Sequence, residues 1–393
     1  MNKLTLKDIN IKDKVVIMRA DFNVPQGADL NITDDTRIKA TLPTIKYILQ
    51  NGVKKLVLMS HLGRPDGKPV AKYSLKPVAQ RLKELLGEDV LFLNDCVGDQ
   101  IKKAIIDSKQ KVVLLENLRF HPEEEANDPG FAKQLANLAD IYVNDAFGTA
   151  HRAHASTEGI AHYLQSAAGF LLEKEIKYLG AAVKNPEKPY MLILGGAKVS
   201  DKIMLIENLL PLCDAIIVGG GMAYTFLKAQ GKSIGNSKLE KEKIDVAKSI
   251  LDKAKALNKT ILLPVDNVIV DTVDANAKSE ICGENVPDGK IAVDIGPKTI
   301  TLFEEKLKSA KTIVWNGPMG IFEMDAFSKG TLEIMKFIGG LKATTIIGGG
   351  DTAAAVAKFK LEDKMTHIST GGGASLELLE GKNLPGIAAL TEK

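Results

Sequence analysis

Short apolar runs with little alternation, each ending in a polar or glycine-rich loop and followed by a helical pattern, recur along most of this chain. Val15–Arg19, Leu56–Ser60, Val90–Leu93, Val112–Leu115 and Ile141–Val143 are such runs in the first half. Tyr190–Leu194, Ala215–Val218, Ile313–Trp315, Thr344–Ile347 and His367–Ser369 continue them in the second. A run of strand length that does not alternate is buried on both faces, as in parallel sheets covered by helices. The pattern predicts an α/β fold of two doubly wound, Rossmann-like parallel-sheet domains.

The seam between them falls at Asn185-Pro186-Glu187-Lys188-Pro189, where two prolines interrupt the pattern. The helical stretch Gly169–Val183 precedes it. We therefore expect an N-terminal domain over residues 1–168, a hinge helix over 169–185 and a C-terminal domain over 186–378. At 393 residues the chain is long enough for two cores.

Ligands of open α/β sheets bind beyond the carboxyl ends of the strands, so the content of those loops is informative. In the first half they carry Asp21 and Asn23, His61 and Arg64, Arg119, and Arg152, while Arg37 opens a helical pattern. All six arginines lie in the first 152 residues, and lysine supplies positive charge thereafter. Arginine offers a planar fork that grips phosphate or carboxylate with paired hydrogen bonds. Arg81, inside QRLKELL, reads as a plain surface residue. The other arginines predict a shared site for a small anion.

In the second half the strand ends carry glycine. Gly195-Gly196 is followed by Lys198, Lys202 and a helix that Ser200-Asp201 is expected to cap. Gly219-Gly220-Gly221, Asn316-Gly317-Pro318, Gly348-Gly349-Gly350-Asp351-Thr352 and Gly371-Gly372-Gly373 follow. Glycine lets backbone approach a ligand closely, and helix N-termini present free N–H groups to anions. Lys202 in a first helical turn opposes the macrodipole unless an anion sits there. These loops suit a nucleotide polyphosphate, with Asp351 placed to hold Mg²⁺.

Several named alternatives fail. No Gly-Lys-Ser/Thr ending follows the glycines near Lys198 or Lys202, and the dinucleotide fingerprint breaks at Tyr224. His-Arg-Asp and Asp-Phe-Gly are both missing. No metal-ligand cluster is evident, and His151 with His154 reads as a loop pair rather than a zinc site. A net charge of +3 argues against a nucleic-acid or membrane partner. Three isolated cysteines and the lack of a signal-like or membrane-spanning stretch point to the cytoplasm. An anion-binding protein without catalysis would keep the arginine loops but would need neither the paired lysines nor the glycine loops.

The chain closely resembles the phosphoglycerate kinase family from end to end. The resemblance rests on RADFNVP (Arg19–Pro25), SHLGRP (Ser60–Pro65), ENLRF (Glu116–Phe120), NDAFGTAHRAHAS (Asn144–Ser156), GGAKVSDKI (Gly195–Ile203), GGGMAYTF (Gly219–Phe226), VWNGPMGIFE (Val314–Glu323), GGGDT and STGGGASLELLEGK (Ser369–Lys382), in that order. It implies reversible, Mg²⁺-dependent phosphoryl transfer between ATP and 3-phosphoglycerate by a monomer whose domains close. By resemblance, Asp21, Asn23, Arg37, His61, Arg64, Arg119 and Arg152 bind 3-phosphoglycerate, and Arg37 also acts in catalysis. Lys198 and Lys202 bind the nucleotide phosphates and follow the transferring group. Gly220 and Gly221 border the adenine and Glu323 the ribose. Asn316, Gly349, Gly350, Asp351 and Thr352 contact phosphates, with Asp351 on the metal. Gly350, Gly371, Gly372 and Gly373 present N–H groups in the transition state. Ala292 stands near the nucleotide where many relatives are expected to have glycine. The resemblance also implies that residues 379–393 pack back on the N-terminal domain.

Overall fold

A computed structural model describes residues 2–393. The chain divides into two compact units, Met1–Lys177 with Asn383–Lys393, and Tyr178–Lys382. No helix among the described residues is long and apolar enough to cross a membrane.

The first unit is built on β1 (Val15–Arg19), β2 (Lys55–Met59), β3 (Val90–Phe92), β4 (Val112–Leu114), β5 (Ile141–Asn144) and β6 (Gln165–Ala168). They form one six-stranded parallel sheet in the order β3-β4-β2-β1-β5-β6. Val16, Met18, Leu56, Leu58, Leu114 and Val143 share one core with Ile38, Ile45 and Ile48 of the helix Thr36–Gln50. Truncating any such aliphatic to alanine removes about 2–5 kcal/mol. β6 reads QSAA, too small and polar to register as an apolar run, yet Ser166, Ala167 and Ala168 are buried beside β5. Arg81 is not a plain surface residue. Its guanidinium donates to Asp35 from Nε (2.9 Å) and NH2 (2.7 Å) and pairs with Glu84, tying two helices together.

The second unit holds β7 (Tyr190–Leu194), β8 (Ala215–Val218), β9 (Thr260–Leu262), β10 (Asp266–Val270), β11 (Glu280–Gly283), β12 (Ile291–Ile295), β13 (Thr312–Asn316), β14 (Thr344–Gly348) and β15 (His367–Ile368). Six of them form a parallel sheet in the order β15-β14-β13-β7-β8-β9. Trp315 is fully buried in its core with Ile193, Ile217, Phe303 and Ile347. A separate antiparallel sheet, β11-β10-β12, covers a small cluster of Val270, Val293 and Phe327.

Register places the loops. Arg19 pairs with Met59 and Asn144, and Leu58 with Leu114, so the chain leaves β1, β2, β4 and β5 at one edge. In the second unit Asn316 pairs with both Leu194 and Gly348, Leu194 with Val218, and Ile347 with Ile368, which again aligns the exits. The strand order reverses between β1 and β5 in one sheet and between β7 and β13 in the other. Such reversal points open a crevice for a ligand.

Candidate active site

In the first unit, the β1 exit brings Asp21 into an ion pair with Arg37 on the first turn of the helix Thr36–Gln50. Asp21 Oδ1 also accepts from Asn23 N at 3.2 Å, and Asn23 Oδ1 accepts from Gly63 N at 2.9 Å. Asn23 and Gly63 line a cavity of about 260 Å³ together with Leu62, Lys72 and Tyr73. The β1 and β2 exits are thus fastened through the Asn23 side-chain amide and the Gly63 backbone.

Arg119 follows β4 in a short turn that Asn117 caps, its Oδ1 accepting from Arg119 N at 3.0 Å. The Arg119 side chain is 3% exposed. NH1 donates to Gly63 O at 2.9 Å, and Nε lies 3.3 Å from Glu125 Oε1 without hydrogen-bond alignment. NH2 is buried without any hydrogen-bond partner. A buried guanidinium edge left unsatisfied is costly unless an acceptor arrives, and an anion supplies one.

Arg64 is exposed, and among the described residues it makes no hydrogen bond or ion pair. Arg152 is half-buried and donates from Nε to His151 Nε2 at 3.2 Å. His61 is 4% exposed. Burial first, then the charges of Arg19, Arg119 and Arg37, hold its pKa well below the ordinary value, so the ring is neutral. His154 is held down to about 3, again by burial first and then by Arg119, Arg19 and Arg152.

Two buried groups here were not among the expected site residues. Arg19, fully buried at the end of β1, donates from Nε to Ser156 Oγ at 2.8 Å and from NH2 to His61 Nδ1 at 3.1 Å. Glu124, also fully buried, accepts from Ser156 Oγ (2.5 Å) and Ser156 N (2.9 Å). An arginine closing an apolar strand was the visible signal for the first. Nothing local marked Glu124, which reads as one acid in a surface-like Glu-Glu-Glu run.

In the second unit, the glycine turns after β7 and β13 pack against each other. Gly195 N donates to Asn316 O at 3.0 Å and Gly196 N to Pro318 O at 2.9 Å. Gly196 and Gly317 have φ of +91° and +96°. A Cβ at Gly195 would lie 2.0 Å from Pro318 O, and one at Gly317 would lie 2.2 Å from Gly195 O. Only glycine permits this approach. Gly220 and Gly221 seat against the same turn, with Gly220 N donating to Met319 O and Met222 N to Gly196 O.

Asn316 is nearly buried and accepts from Lys202 Nζ through Oδ1. Burial pulls the Lys202 pKa down, while Asp201, Asp351 and Glu380 pull it back up. Thr352 Oγ1 accepts from Gly317 N at 2.7 Å, fastening the β14 exit to the β13 exit. Gly349 (φ +87°) leads into the helix Gly350–Lys358, whose first N–H groups lack intrahelical partners. Asp351 is exposed in that first turn. Gly371–Gly373 leaves β15 beside it, with Gly372 at φ +50° and Gly371 N donating to Ser369 Oγ at 3.2 Å.

The structure corrects two readings of the helix that follows Gly195-Gly196. Ser200-Asp201 does not cap it: Ser200 Oγ donates to Glu240 Oε1 at 2.6 Å and Ser200 N to Glu240 Oε2 at 3.1 Å. Ser200–Lys202 is a 3₁₀ turn, and Lys202 is the N-cap residue of the helix Ile203–Leu209 rather than a member of its first turn. From that position its Nζ donates to Asn316 Oδ1. Lys198 and Glu323 are exposed, and neither side chain makes a hydrogen bond or ion pair among the described residues. Ala292 is 8% exposed within β12, opposite Ile269, and its N–H donates to Ser237 Oγ at 3.0 Å.

Among the described residues one group has metal-ligand geometry, and it sits on the loops after β3 and β4: Asp95, Cys96 and His121 have ligand atoms within 4.8 Å of one another. Each already has a partner. His121 Nε2 lies 2.7 Å from Asp95 Oδ1, and Cys96 Sγ donates to Glu116 O at 3.0 Å. Asp351 fits a hard cation, since one carboxylate beside helix N–H groups leaves the remaining positions to phosphate oxygens and water.

The phosphoglycerate kinase family model matches residues 6–382. Phosphoglycerate kinases of Koribacter versatilis and Pseudothermotoga lettingae are 57% and 54% identical, each alignment covering the whole of both chains. Among solved structures, phosphoglycerate kinase from Coxiella burnetii superposes with a TM-score of 0.92 at 43% identity, covering 98% of each chain. That from Pyrococcus horikoshii superposes with a TM-score of 0.82 at 34% identity, also over 98% of each. On these matches the chain belongs to the phosphoglycerate kinase family.

Proposed function

We propose that this protein reversibly transfers a phosphoryl group between ATP and 3-phosphoglycerate, yielding ADP and 1,3-bisphosphoglycerate. A carboxylate oxygen of 3-phosphoglycerate attacks the terminal phosphorus as the bond to ADP breaks in line. A carboxylate has no proton to lose, so no general base is needed. Alignment and charge compensation carry the reaction. The observation that carries this reading for the acceptor side is Arg119, whose buried NH2 has no partner within a rim that also holds Arg37, His61, Arg64 and Arg152.

Asp21, Asn23, Arg37, His61, Arg64, Arg119 and Arg152 bind the acceptor. Arg37 is kept oriented by Asp21 and compensates charge on the transferring group. Lys198 and Lys202 bind nucleotide phosphates, with Lys202 aimed by Asn316. Gly349, Gly350, Thr352, Gly372 and Gly373 offer backbone N–H groups to the phosphate oxygens, and Gly371 joins them on exchanging its bond to Ser369 Oγ for one to phosphate. Gly220 and Gly221 border the base, Glu323 the ribose, and Ala292 lies at the edge of that pocket. Mg²⁺ held by Asp351 would neutralise the phosphates and orient them. Donors of this kind are each worth about 10²–10³-fold in rate.

The two substrates are assigned to different units, so reaction requires that they be brought together. We assign that motion to the helix over residues 169–185, between a domain of 1–168 with 379–393 and a domain of 186–378. Solution scattering with both ligands should give a more compact particle than with either alone, and an unchanged profile refutes the assignment. The enzyme acts in the cytoplasm as a monomer, which light scattering of the purified protein tests. The deciding assay for the activity is Mg²⁺- and ATP-dependent phosphorylation of 3-phosphoglycerate. Folded protein without turnover overturns the reading. Binding of the small anion without ATP would identify a closing anion-binding protein instead.

A further inference from the structure

We propose that Arg19 is a positioning residue: by donating to Nδ1 of His61 it fixes the imidazole proton on Nε2, so that His61 always offers a hydrogen-bond donor to the anionic acceptor. The proposal rests on the acceptor-site reading above.

A guanidinium has donors and no acceptor. The 3.1 Å contact between Arg19 NH2 and His61 Nδ1 therefore requires a lone pair on Nδ1. Flipping the ring would set a carbon against that N–H and leave a buried donor unpaired, which costs more than the bond itself contributes. Arg19 cannot swing away to relieve the geometry. Its Nε is taken by Ser156 Oγ and its NH1 by Ala20 O and Ser60 Oγ. Ser156 is held in turn through two hydrogen bonds to Glu124, and Ser60 Oγ accepts from Phe22 N at 2.9 Å. Arg19, Ser60, Glu124 and Ser156 are all fully buried.

The charged form of His61 is excluded by the same surroundings. Arg19 at the end of β1, Arg119 after β4, Arg37 on the helix Thr36–Gln50 and His154 after β5 face it, and each disfavours an imidazolium, as does burial itself. With the proton fixed on Nε2, the free edge of the ring can only donate. His61 then acts as a neutral donor across the range in which an ordinary histidine titrates.

The test reads the proton directly. Long-range ¹H–¹⁵N correlation spectra of the ¹⁵N-labelled full-length protein, with His61 assigned through His61→Gln, should give a protonated-type Nε2 and an unprotonated-type Nδ1, unchanged from about pH 5 to 8. A proton on Nδ1, or titration near the ordinary histidine pKa, overturns the proposal. The double variant Arg19→Met/Glu124→Gln removes both buried charges together, so neither is stranded. In it His61 should sample both tautomers. KM for 3-phosphoglycerate should rise about tenfold, with kcat within about twofold. An unchanged KM in a folded double variant also overturns it. If that variant does not fold, the spectrum of the unaltered protein still decides. Failure of the unaltered protein to turn over 3-phosphoglycerate refutes the functional reading and leaves the tautomer result standing.

Discussion

Gly317→Ala isolates the packing of the two glycine turns from the chemistry they support. The methyl group would sit 2.2 Å from Gly195 O and 2.3 Å from Gly195 C. Both are backbone atoms, so no side-chain rotation relieves the clash. Gly317 has φ +96°, where a Cβ costs about 1–2 kcal/mol. Overpacking a rigid site adds about 1–3 kcal/mol. The sum is about 2–5 kcal/mol, to be recovered by displacing the Gly195-Gly196 peptide from its contacts with Asn316 and Pro318. The single tryptophan, Trp315, is fully buried two residues away and donates from Nε1 to Gly317 O at 2.6 Å. Its fluorescence therefore follows urea unfolding of the second unit at the point of damage. We expect that transition to move to lower urea by the stated amount, and KM for ATP to rise by at least about tenfold, since 1.4 kcal/mol of lost binding already gives that factor. KM for 3-phosphoglycerate should be unaffected. Gly350→Ala is the control: a Cβ there meets nothing within 4 Å, at the first position of a helix. Its stability should be unchanged or higher by about 0.5–1 kcal/mol. If Gly317→Ala lies within about 1 kcal/mol of the parent and leaves KM for ATP unchanged, the contact between the turns is slack and does not shape the nucleotide site.

Arg37→Lys keeps the charge but loses the fork, and should lower kcat by about 10²-fold or more; near-parental turnover would remove Arg37 from the reaction. Lys202→Met should lower kcat by a similar factor while leaving 3-phosphoglycerate binding intact, and an unchanged kcat would assign phosphate handling elsewhere. Asp145 is fully buried, and its Oδ1 accepts from Leu171 N (2.8 Å) and Leu172 N (3.3 Å). Burial raises its pKa from 3.8 to about 6 against those hydrogen bonds. The folded state thus holds a proton that the unfolded chain has released, so this group removes stability as pH rises through the window from about 4 to 6, by about 3 kcal/mol in all. Asp145→Asn should abolish that decline in chemical denaturation at stepped pH, and a slope identical to the parent would place the titration elsewhere. Cys96 and Cys213 are buried and Cys282 is half-buried. An alkylating reagent should modify Cys282 alone under native conditions, and reaction of a second thiol would contradict the burial.

Strands buried on both faces announced themselves, because nothing but continuous apolar residues can occupy such positions. β1, β7 and β8 begin and end where the runs do. The antiparallel sheet did not. β11 reads EICG and is largely exposed, and β10 and β12 are interrupted by Asn267 and Asp294, which the fold buries and hydrogen-bonds. Their stability lies in partners far along the chain, which local pattern cannot reveal. The same limit applied to Ser200. A serine before an apolar run has the form of a cap, but Glu240 competes for it from forty positions away. Arginine was informative because the chain uses it sparingly. What sequence could not separate was function from support. Arg119 leaves a donor unpaired at the rim, whereas Arg81 is consumed by Asp35 and Glu84.

The first unit is closed by residues from the far end of the chain. Leu4 N donates to Thr391 O and Lys393 N to Asn2 O, both at 2.9 Å, and Asn144 Nδ2, at the end of β5, donates to Gly386 O at 3.0 Å. During synthesis the sheet strands β1 to β6 leave the ribosome early, but the segment Asn383–Lys393 emerges only after the whole second unit has been made. The unit translated first is thus completed last. Until then Asn144 and the edge formed by residues 2–4 wait without these partners, and a chain stalled or clipped before Asn383 would carry its defect in the unit made first.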